Sequence, residues 1–175
     1  MILFCKNRRF INHFGAKMIV AVIGNEHFKL NASTTRRFNR KITKLVKRGG
    51  ARIFLFTGDG SFDIFCRLFV SRLQREYSDI KRVYVRIKDE DDDPLQDNIS
   101  LMFDSSFVIE EARDAGEIAE SVRNKMMLEM CDALLTYFDT KKLRTTKGYA
   151  ELAIEQAQEM KKQVFNLKNK FLKIK

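Results

Sequence analysis

The chain has 175 residues, with 33 lysines and arginines against 23 aspartates and glutamates, and its formal net charge is +10. At 45% hydrophobic residues it is too apolar for a disordered protein and long enough to bury one core, and no apolar run approaches the about 20 residues of a membrane helix. Its cysteines, Cys5, Cys66 and Cys131, suit neither a disulfide framework nor a metal-binding pair, which favours a reducing cytoplasm.

The positive charge is concentrated at the two ends of the chain. Residues 1–50 hold 12 basic side chains and one acidic side chain, whereas residues 51–150 are mildly acidic. Residues 1–17 are interpreted as a basic leader, either a loosely docked arm or the product of an upstream translation start, and residues 168–175 as a lysine-rich tail. Such basic regions suit a polyanion, but a solvated surface is the more common explanation.

Apolar runs alternate with helical stripes from residue 18 onward. Met18–Ile23 predicts a strand buried on both faces, and apolar residues at helical spacing predict a helix from Ser33 or Thr34 to Gly49-Gly50. Further strands are predicted at 51–57, 81–87, 133–138 and 163–167, helices at 61–77, 115–130 and 148–160, and a short strand or a turn at 107–109. Because parallel strands need crossover connections, this alternation predicts one three-layer Rossmann-like α/β domain over residues 18–167, with a mostly parallel sheet flanked by helices.

Glycine and polar residues follow the predicted strands where such a sheet binds ligands, at the carboxyl ends of its strands. The candidate binding residues are Gly24, Asn25, Gly58, Asp59, Gly60, Ser61, Asp63, Arg123, Asn124, Thr146, Lys147 and Gly148. Glycine lets backbone N–H groups approach an anion at a helix N-terminus, so these turns favour a phosphate cradle. A Gly-x-Gly turn also has a purely conformational explanation, and the dinucleotide fingerprint and the P-loop are both absent.

Several segments carry a resemblance to a known family. MIVAVIGN, FLFTGDGSFDIFC, DAGEIAESVRNKMMLEMCDALLTYF and KGYAELAIEQAQEMKKQVFNL resemble the SLOG superfamily, which unites the "lonely guy" phosphoribohydrolases, the DprA/Smf DNA-processing proteins and small YpsA-like proteins of Gram-positive bacteria. The likeness is greatest to the small YpsA-like branch and covers residues 18–167. Its most specific elements are Arg123-Asn124-x-x-Met127 followed by Asp132, and Gly60-Ser61-Phe62-Asp63.

The resemblance implies a nucleotide or a nucleotide-derived molecule held by the glycine turns and by Arg123 and Asn124. Since SLOG relatives often self-associate, it also implies a homo-oligomer as an alternative to a monomer. The enzymes of the superfamily use a Pro-Gly-Gly-x-Gly-Thr-x-x-Glu loop, whereas residues 145–152 have one glycine here and Glu151 stands one position from the expected glutamate. One position is a rotation of about 100° on a helix, so ligand binding or sensing is predicted in preference to hydrolysis.

Two alternative functions stay open. One is an N-glycosidic or phosphoribosyl hydrolase in which Arg123 holds phosphate and Glu151 acts as a displaced acid or base. The other is nucleic-acid binding through the basic helix over residues 34–48. No cofactor and no metal site is predicted, because the acidic run Asp89–Asp93 lacks the spacing of a calcium loop.

Two of the motif residues also have structural interpretations. Arg123 could be a surface helix residue paired with Glu117 or Glu120. Asp132, which precedes an apolar strand, could cap the preceding helix or fix a turn. The role of each residue therefore depends on how deeply it is buried and on its partners.

Overall fold

The structure is a computed structural model that describes residues 17–24, 28, 31–58, 60–88, 95, 98–138 and 148–168. The strands are β1 Met18–Val22, β2 Ala51–Phe56, β3 Lys81–Arg86, β4 Ser105–Val108, β5 Ala133–Thr136 and β6 Gln163–Asn166. They form one six-stranded sheet in the order β4-β3-β2-β1-β5-β6, and every neighbouring pair is parallel. The predicted Rossmann-like α/β domain is therefore confirmed, whereas the leader up to residue 16 and the tail from residue 169 lie outside the described residues.

Helices cover both faces of the sheet. They are α1 Ala32–Gly49, α2 Gly60–Gln74, α3 Ile99–Met102, α4 Glu110–Arg113, α5 Ala119–Met130 and α6 Tyr149–Glu159, with a 3-10 turn at Gly116–Ile118 before α5. Buried residues of α1, α2 and α3 pack with Val20 and Val22 on one face, and those of α4, α5 and α6 pack with Ala21 and Ile23 on the other. Alternate residues of β1 therefore pack into two hydrophobic cores, one on each face of the sheet, as its continuous apolar run predicts.

The first helix begins two or three residues earlier than predicted. Asn31 is its N-cap, and the Asn31 side-chain oxygen accepts hydrogen bonds from the backbone N–H of Thr34 at 2.9 Å and from the Thr34 hydroxyl at 2.9 Å. Ser33 and Thr34 therefore lie inside the helix, and the prediction that one of them caps it is wrong. The predicted glycine stop is confirmed, because Gly50 adopts φ 71° and its N–H donates to the carbonyl of Leu45.

Three short elements were predicted only in part or not at all. The segment predicted as a short strand or a turn is β4, which forms the edge of the sheet beside β3. The four-residue helices α3 and α4 are too short to show a helical stripe, so no pattern marks them. All other predicted strands and helices are present within about four residues of their predicted ends.

The strand order fixes where a ligand would enter. From β1 the chain builds outward through β2 and β3 to β4, then crosses to the opposite side of β1 to form β5 and β6. The order therefore reverses between β1 and β5, and the crevice outside their carboxyl ends is where ligands bind in sheets of this kind.

Among the described residues, no helix is long and apolar enough to cross a membrane.

Candidate functional site

The predicted site residues divide into those the structure describes and those it does not. Asn25, Asp59, Thr146 and Lys147 lie outside the described residues. Gly148 is the N-cap of α6, with φ −85°. Glu151 is partly buried in the first turn of α6, where its backbone N–H donates to the Gly148 carbonyl at 3.0 Å.

Asp63 lies in the first turn of α2, where the chain turns back from β2. Its side chain is 3% exposed, and its Oδ2 atom accepts hydrogen bonds from the backbone N–H of Thr57 at 2.9 Å, the Thr57 hydroxyl at 3.2 Å and the Gly58 N–H at 3.3 Å. The backbone N–H groups predicted to cradle a phosphate thus hold a carboxylate of the chain itself. The other oxygen, Oδ1, is buried and has no hydrogen-bond partner within the described part of the chain.

The protonation of Asp63 reflects this burial. Burial raises the pKa of the carboxyl from 3.8 to about 7, against the hydrogen bonds from Thr57 and Gly58 and the positive charge of Arg67, which lower it. Near neutral pH the carboxyl group therefore exists in both protonation states. It can accept a hydrogen bond as a carboxylate or donate one as an acid.

Arg123 meets the same turn from the other face of the sheet. It is 3% exposed on α5, and its Nη1 atom donates to the carbonyl oxygen of Thr57 at 3.1 Å. The interpretation of Arg123 as a surface residue paired with Glu117 or Glu120 is therefore wrong. Thr57 is bound through its N–H and hydroxyl by Asp63 and through its carbonyl by Arg123, so the two sequence motifs that contain Asp63 and Arg123 meet at this threonine.

Two further buried polar groups lie on the α5 and α6 side of the carboxyl edge. Asn124 is 5% exposed, and its Oδ1 atom has no hydrogen-bond partner among the described residues. Thr136 ends β5, is fully buried, and likewise has no partner for its hydroxyl there. Asn124 is a predicted site residue because it belongs to the Arg123-Asn124-x-x-Met127 motif. Thr136 is not predicted, because in the sequence it is only one residue of an apolar strand.

The glycines at this edge have roles in packing and in the turn. A Cβ atom added to Gly24 would overlap the ring of Phe62, so the missing side chain lets α2 lie close against the end of β1. Gly58 and Gly60 have φ of 82° and 80°, a conformation that favours glycine and shapes the turn into α2. The conformational explanation of these glycines is thus sufficient for their presence.

Aromatic rings occupy the α1 and α2 side of the switch point. The Phe28 ring centre lies 4.6 Å from that of Tyr137 and 5.4 Å from that of Phe62. Ser61, one of the candidate binding residues, lies in the first turn of α2 and contacts this segment: its hydroxyl accepts from the Phe28 N–H at 2.9 Å and donates to the Phe28 carbonyl at 3.2 Å. Tyr137 is partly exposed at the end of β5, and neither it nor Phe28 carries a motif that sequence analysis could use.

Asp132 lies at the opposite edge of the sheet and takes no part in this site. Its Oδ2 atom accepts from the Ile19 N–H at 2.8 Å, while its own N–H donates to the Ile19 carbonyl at 2.9 Å. It therefore joins the start of β5 to β1. Neither of the roles predicted for it, helix cap or turn, describes this link between strands.

The cysteines and acidic residues add no further chemistry within the described chain. Cys66 and Cys131 are buried as free thiols, and burial raises the pKa of Cys131 to about 11 and that of Cys66 well above its ordinary value. Thiols in such surroundings are poor nucleophiles. No group of three or more histidine, cysteine or acidic side chains in the described residues is arranged to hold a metal ion.

No protein-family model matches the sequence, and no curated protein matches it either. The likeness to the SLOG superfamily accordingly stands on the residues and motifs themselves. Of those motif residues, Asp63 and Arg123 both contact Thr57.

Proposed function

We propose that the chain binds a nucleotide or a nucleotide-derived small molecule where β1, β2 and β5 end. The observation that carries the proposal is the set of buried oxygen atoms on Asp63, Asn124 and Thr136 that have no hydrogen-bond partner among the described residues. Buried polar atoms in proteins are almost always paired, so several open acceptors at one edge favour a ligand that supplies donors. The switch point of a parallel sheet is also the usual ligand crevice.

The open atoms favour a particular part of such a ligand. A carboxylate oxygen and an amide oxygen accept hydrogen bonds, as a ribose hydroxyl or a base amino group requires. Since the Gly58 N–H is already bound by Asp63, a sugar hydroxyl suits this position better than a phosphate. The partly exposed ring of Tyr137 offers an apolar surface for a base.

Calorimetric titration with ribonucleoside monophosphates and their 2′-deoxy and 3′-deoxy analogues tests the proposal. In Asp63→Asn the amide oxygen can keep the bonds from Thr57 and Gly58, but an NH₂ donor replaces the open Oδ1 acceptor. We expect the affinity for the ribonucleotide to fall about tenfold or more, because a buried donor then faces the hydroxyl. The deoxy analogue that lacks the bound hydroxyl should bind wild type and variant equally.

Asp132→Asn is the matched control, since it makes the same chemical change at the opposite edge of the sheet. It should leave nucleotide affinity unchanged. The proposal is contradicted if no nucleotide binds at millimolar concentration, or if the two variants bind alike. Chromatography of the same mixtures distinguishes binding from hydrolysis, because release of free base would support the enzyme alternative.

A second candidate function, nucleic-acid binding, is favoured by the outer face of α1. This helix contains no acidic residue, and its exposed cations form no ion pair within the described chain. They are Arg36, Arg40, Lys44, Lys47 and Arg48. Residues 36 to 47 span about 17 Å along the helix, enough to follow several phosphates.

The high density of positive charge on α1 affects the pKa of Lys41. Its pKa is lowered by burial and then by the charges of Arg37 and Arg40. Lys41 and Arg37 themselves donate to backbone carbonyls at the end of β6, at 3.3 Å to Asn166 and 3.1 Å to Lys168. These two side chains therefore belong to the fold, and the exposed five form the surface available to a polyanion.

Fluorescence anisotropy with a labelled oligonucleotide at several salt concentrations tests this second function. If two of the five cations contact phosphates, Arg40→Glu with Lys44→Glu should reduce the slope of log affinity against log salt by about 2. Lys161→Glu with Lys125→Glu, two exposed lysines outside α1, is the charge-matched control. Absence of binding at low ionic strength, or equal losses in both double variants, removes this function.

A further inference from the structure

Two arginines on β3 have opposite surroundings. Arg82 and Arg86 project from the same face of the strand, because residues four apart share a face. Each nitrogen of the Arg82 guanidinium donates a hydrogen bond: Nε to Asp104 Oδ2 at 3.1 Å, Nη2 to Asp104 Oδ1 at 3.1 Å and Nη1 to the Ser71 hydroxyl at 2.8 Å. Arg86 is 8% exposed, yet its buried Nε and Nη1 atoms have no hydrogen-bond partner in the described part of the chain.

Arg86 is fixed in place at the carboxyl edge of the sheet. It is the last residue of β3, where it pairs with Val108, and its carbonyl accepts from the Ile109 N–H at 3.0 Å. The β2–β3 register pairs Phe56 with Tyr84, so the turn at Gly58 follows at the level of Arg86. The backbone of Arg86 therefore lies level with the turn that leads into α2, about 10 Å or two strands from β1.

A buried guanidinium with open donors is unfavourable in the absence of an anion. Arginine cannot lose its proton inside a protein, so it cannot reduce the cost of burial by becoming neutral. The planar fork of N–H donors matches the two oxygens of a phosphate or a carboxylate. At Arg82 the carboxylate of Asp104 fills this role, and no described residue does so at Arg86.

We propose that Arg86 binds an oxyanion, the phosphate or carboxylate group of a small ligand, at the carboxyl end of β3. This site uses none of the residues assigned to the nucleotide and does not depend on nucleotide binding. A ligand that carries its anionic group at Arg86 would lie along the same edge as Thr57. The site is therefore a second binding position on this edge, specific for the charge of the ligand.

Thermal unfolding in inorganic phosphate, in acetate and in chloride at equal ionic strength tests the site. Phosphate or acetate should raise the Tm of the wild type above its value in chloride, by about 5 °C or more when the anion is saturating. Arg86→Met keeps an apolar stem of similar length and should abolish that increase. In chloride the Tm of Arg86→Met should equal or exceed that of the wild type, because the variant has no unsatisfied donors to bury. The anion with the larger effect identifies the oxyanion class.

Arg82→Met is the matched control. It removes an arginine from the same face of the same strand, and it should lower the Tm while leaving the anion response intact. Asp63→Asn should also keep the response, which separates this site from the proposed nucleotide site. The inference is overturned if neither anion stabilises the wild type over chloride, or if Arg86→Met responds as the wild type does. It is equally overturned if Arg86→Met lowers the Tm as much as Arg82→Met, since Arg86 would then have a partner within the chain.

Discussion

The two edges of the sheet differ in how their polar side chains are partnered: the aspartates of the amino edge are exposed and paired, whereas buried polar side chains of the carboxyl edge keep open atoms. At the amino edge, Asp104 binds Arg82, Asp79 binds Arg52 and Lys17, and Asp132 binds the backbone of Ile19. At the carboxyl edge, open buried atoms remain within the described residues on Asp63, Asn124, Thr136 and Arg86. The Ser105 hydroxyl, at the start of β4, is the one open buried atom of this kind that the described residues place at the amino edge.

This difference separates a structural edge from a functional one. The three aspartates of the amino edge join neighbouring segments and stabilise the fold, and each has its partner inside the chain. Open polar groups at the carboxyl edge carry a cost in stability that a ligand would remove. Strand order also reverses at the carboxyl edge, so the sheet topology and the open polar atoms indicate the same ligand-binding edge.

The largest effect we expect concerns the pH dependence of Asp63. Its pKa is about 7 in the folded protein against 3.8 for the unfolded group, so the protonated form stabilises the fold. That contribution is fully present below pH 3.8 and is lost as the pH rises through 7. The free energy of unfolding of the wild type, relative to Asp63→Asn, should therefore fall by about 1.4 kcal/mol per pH unit between these values. Urea denaturation of both proteins at intervals from pH 4 to pH 8 measures the difference.

Asp104, at the other edge, should show the opposite sign. Burial alone would raise its pKa, but hydrogen bonds from Arg82 and Gln74 and the charge of Arg82 lower it overall. Its contribution is present above the ordinary aspartate pKa and is lost as the pH falls through the lowered value. If the contributions of Asp63 and Asp104 to the free energy of unfolding changed in the same direction with pH, the contrast between the two edges of the sheet would be wrong.

Much of the fold could be predicted because its signals are local. The uninterrupted apolar run of β1 and the apolar stripe of α1 each lie within one short window, and Gly50 ends the helix as glycine commonly does. The early start at Asn31 was missed because several residues there can cap a helix, and only the backbone geometry selects one. The short helix α3 was missed because four residues cannot display a period.

The site was less predictable, because burial of a polar residue depends on distant segments. Asp63, Arg123 and Asn124 are predicted from motifs that resemble those of a known family, whereas the meeting of Asp63 and Arg123 at Thr57 is a property of the folded chain. Arg86 gave no signal because an arginine in a strand normally faces solvent. Its neighbour in the sheet, Val108 of β4, is 22 residues away in the sequence and lies beside it only after folding.

A pair of leucine substitutions provides the smaller and final test of the two edges. Asp104→Leu removes the partner of Arg82, whose side chain is only 15% exposed, and should lower the free energy of unfolding by about 3 kcal/mol. Asn124→Leu has nearly the same shape change at the carboxyl edge, where the Oδ1 atom has no partner among the described residues. It should leave stability within about 0.5 kcal/mol of the wild type or increase it, because an unsatisfied buried acceptor is replaced by an apolar group. Urea midpoints at pH 7 measure both. Equal losses in the two variants would mean that Asn124 is as fully engaged in the fold as Asp104, and the assignment of the carboxyl edge to a ligand would lose its main support.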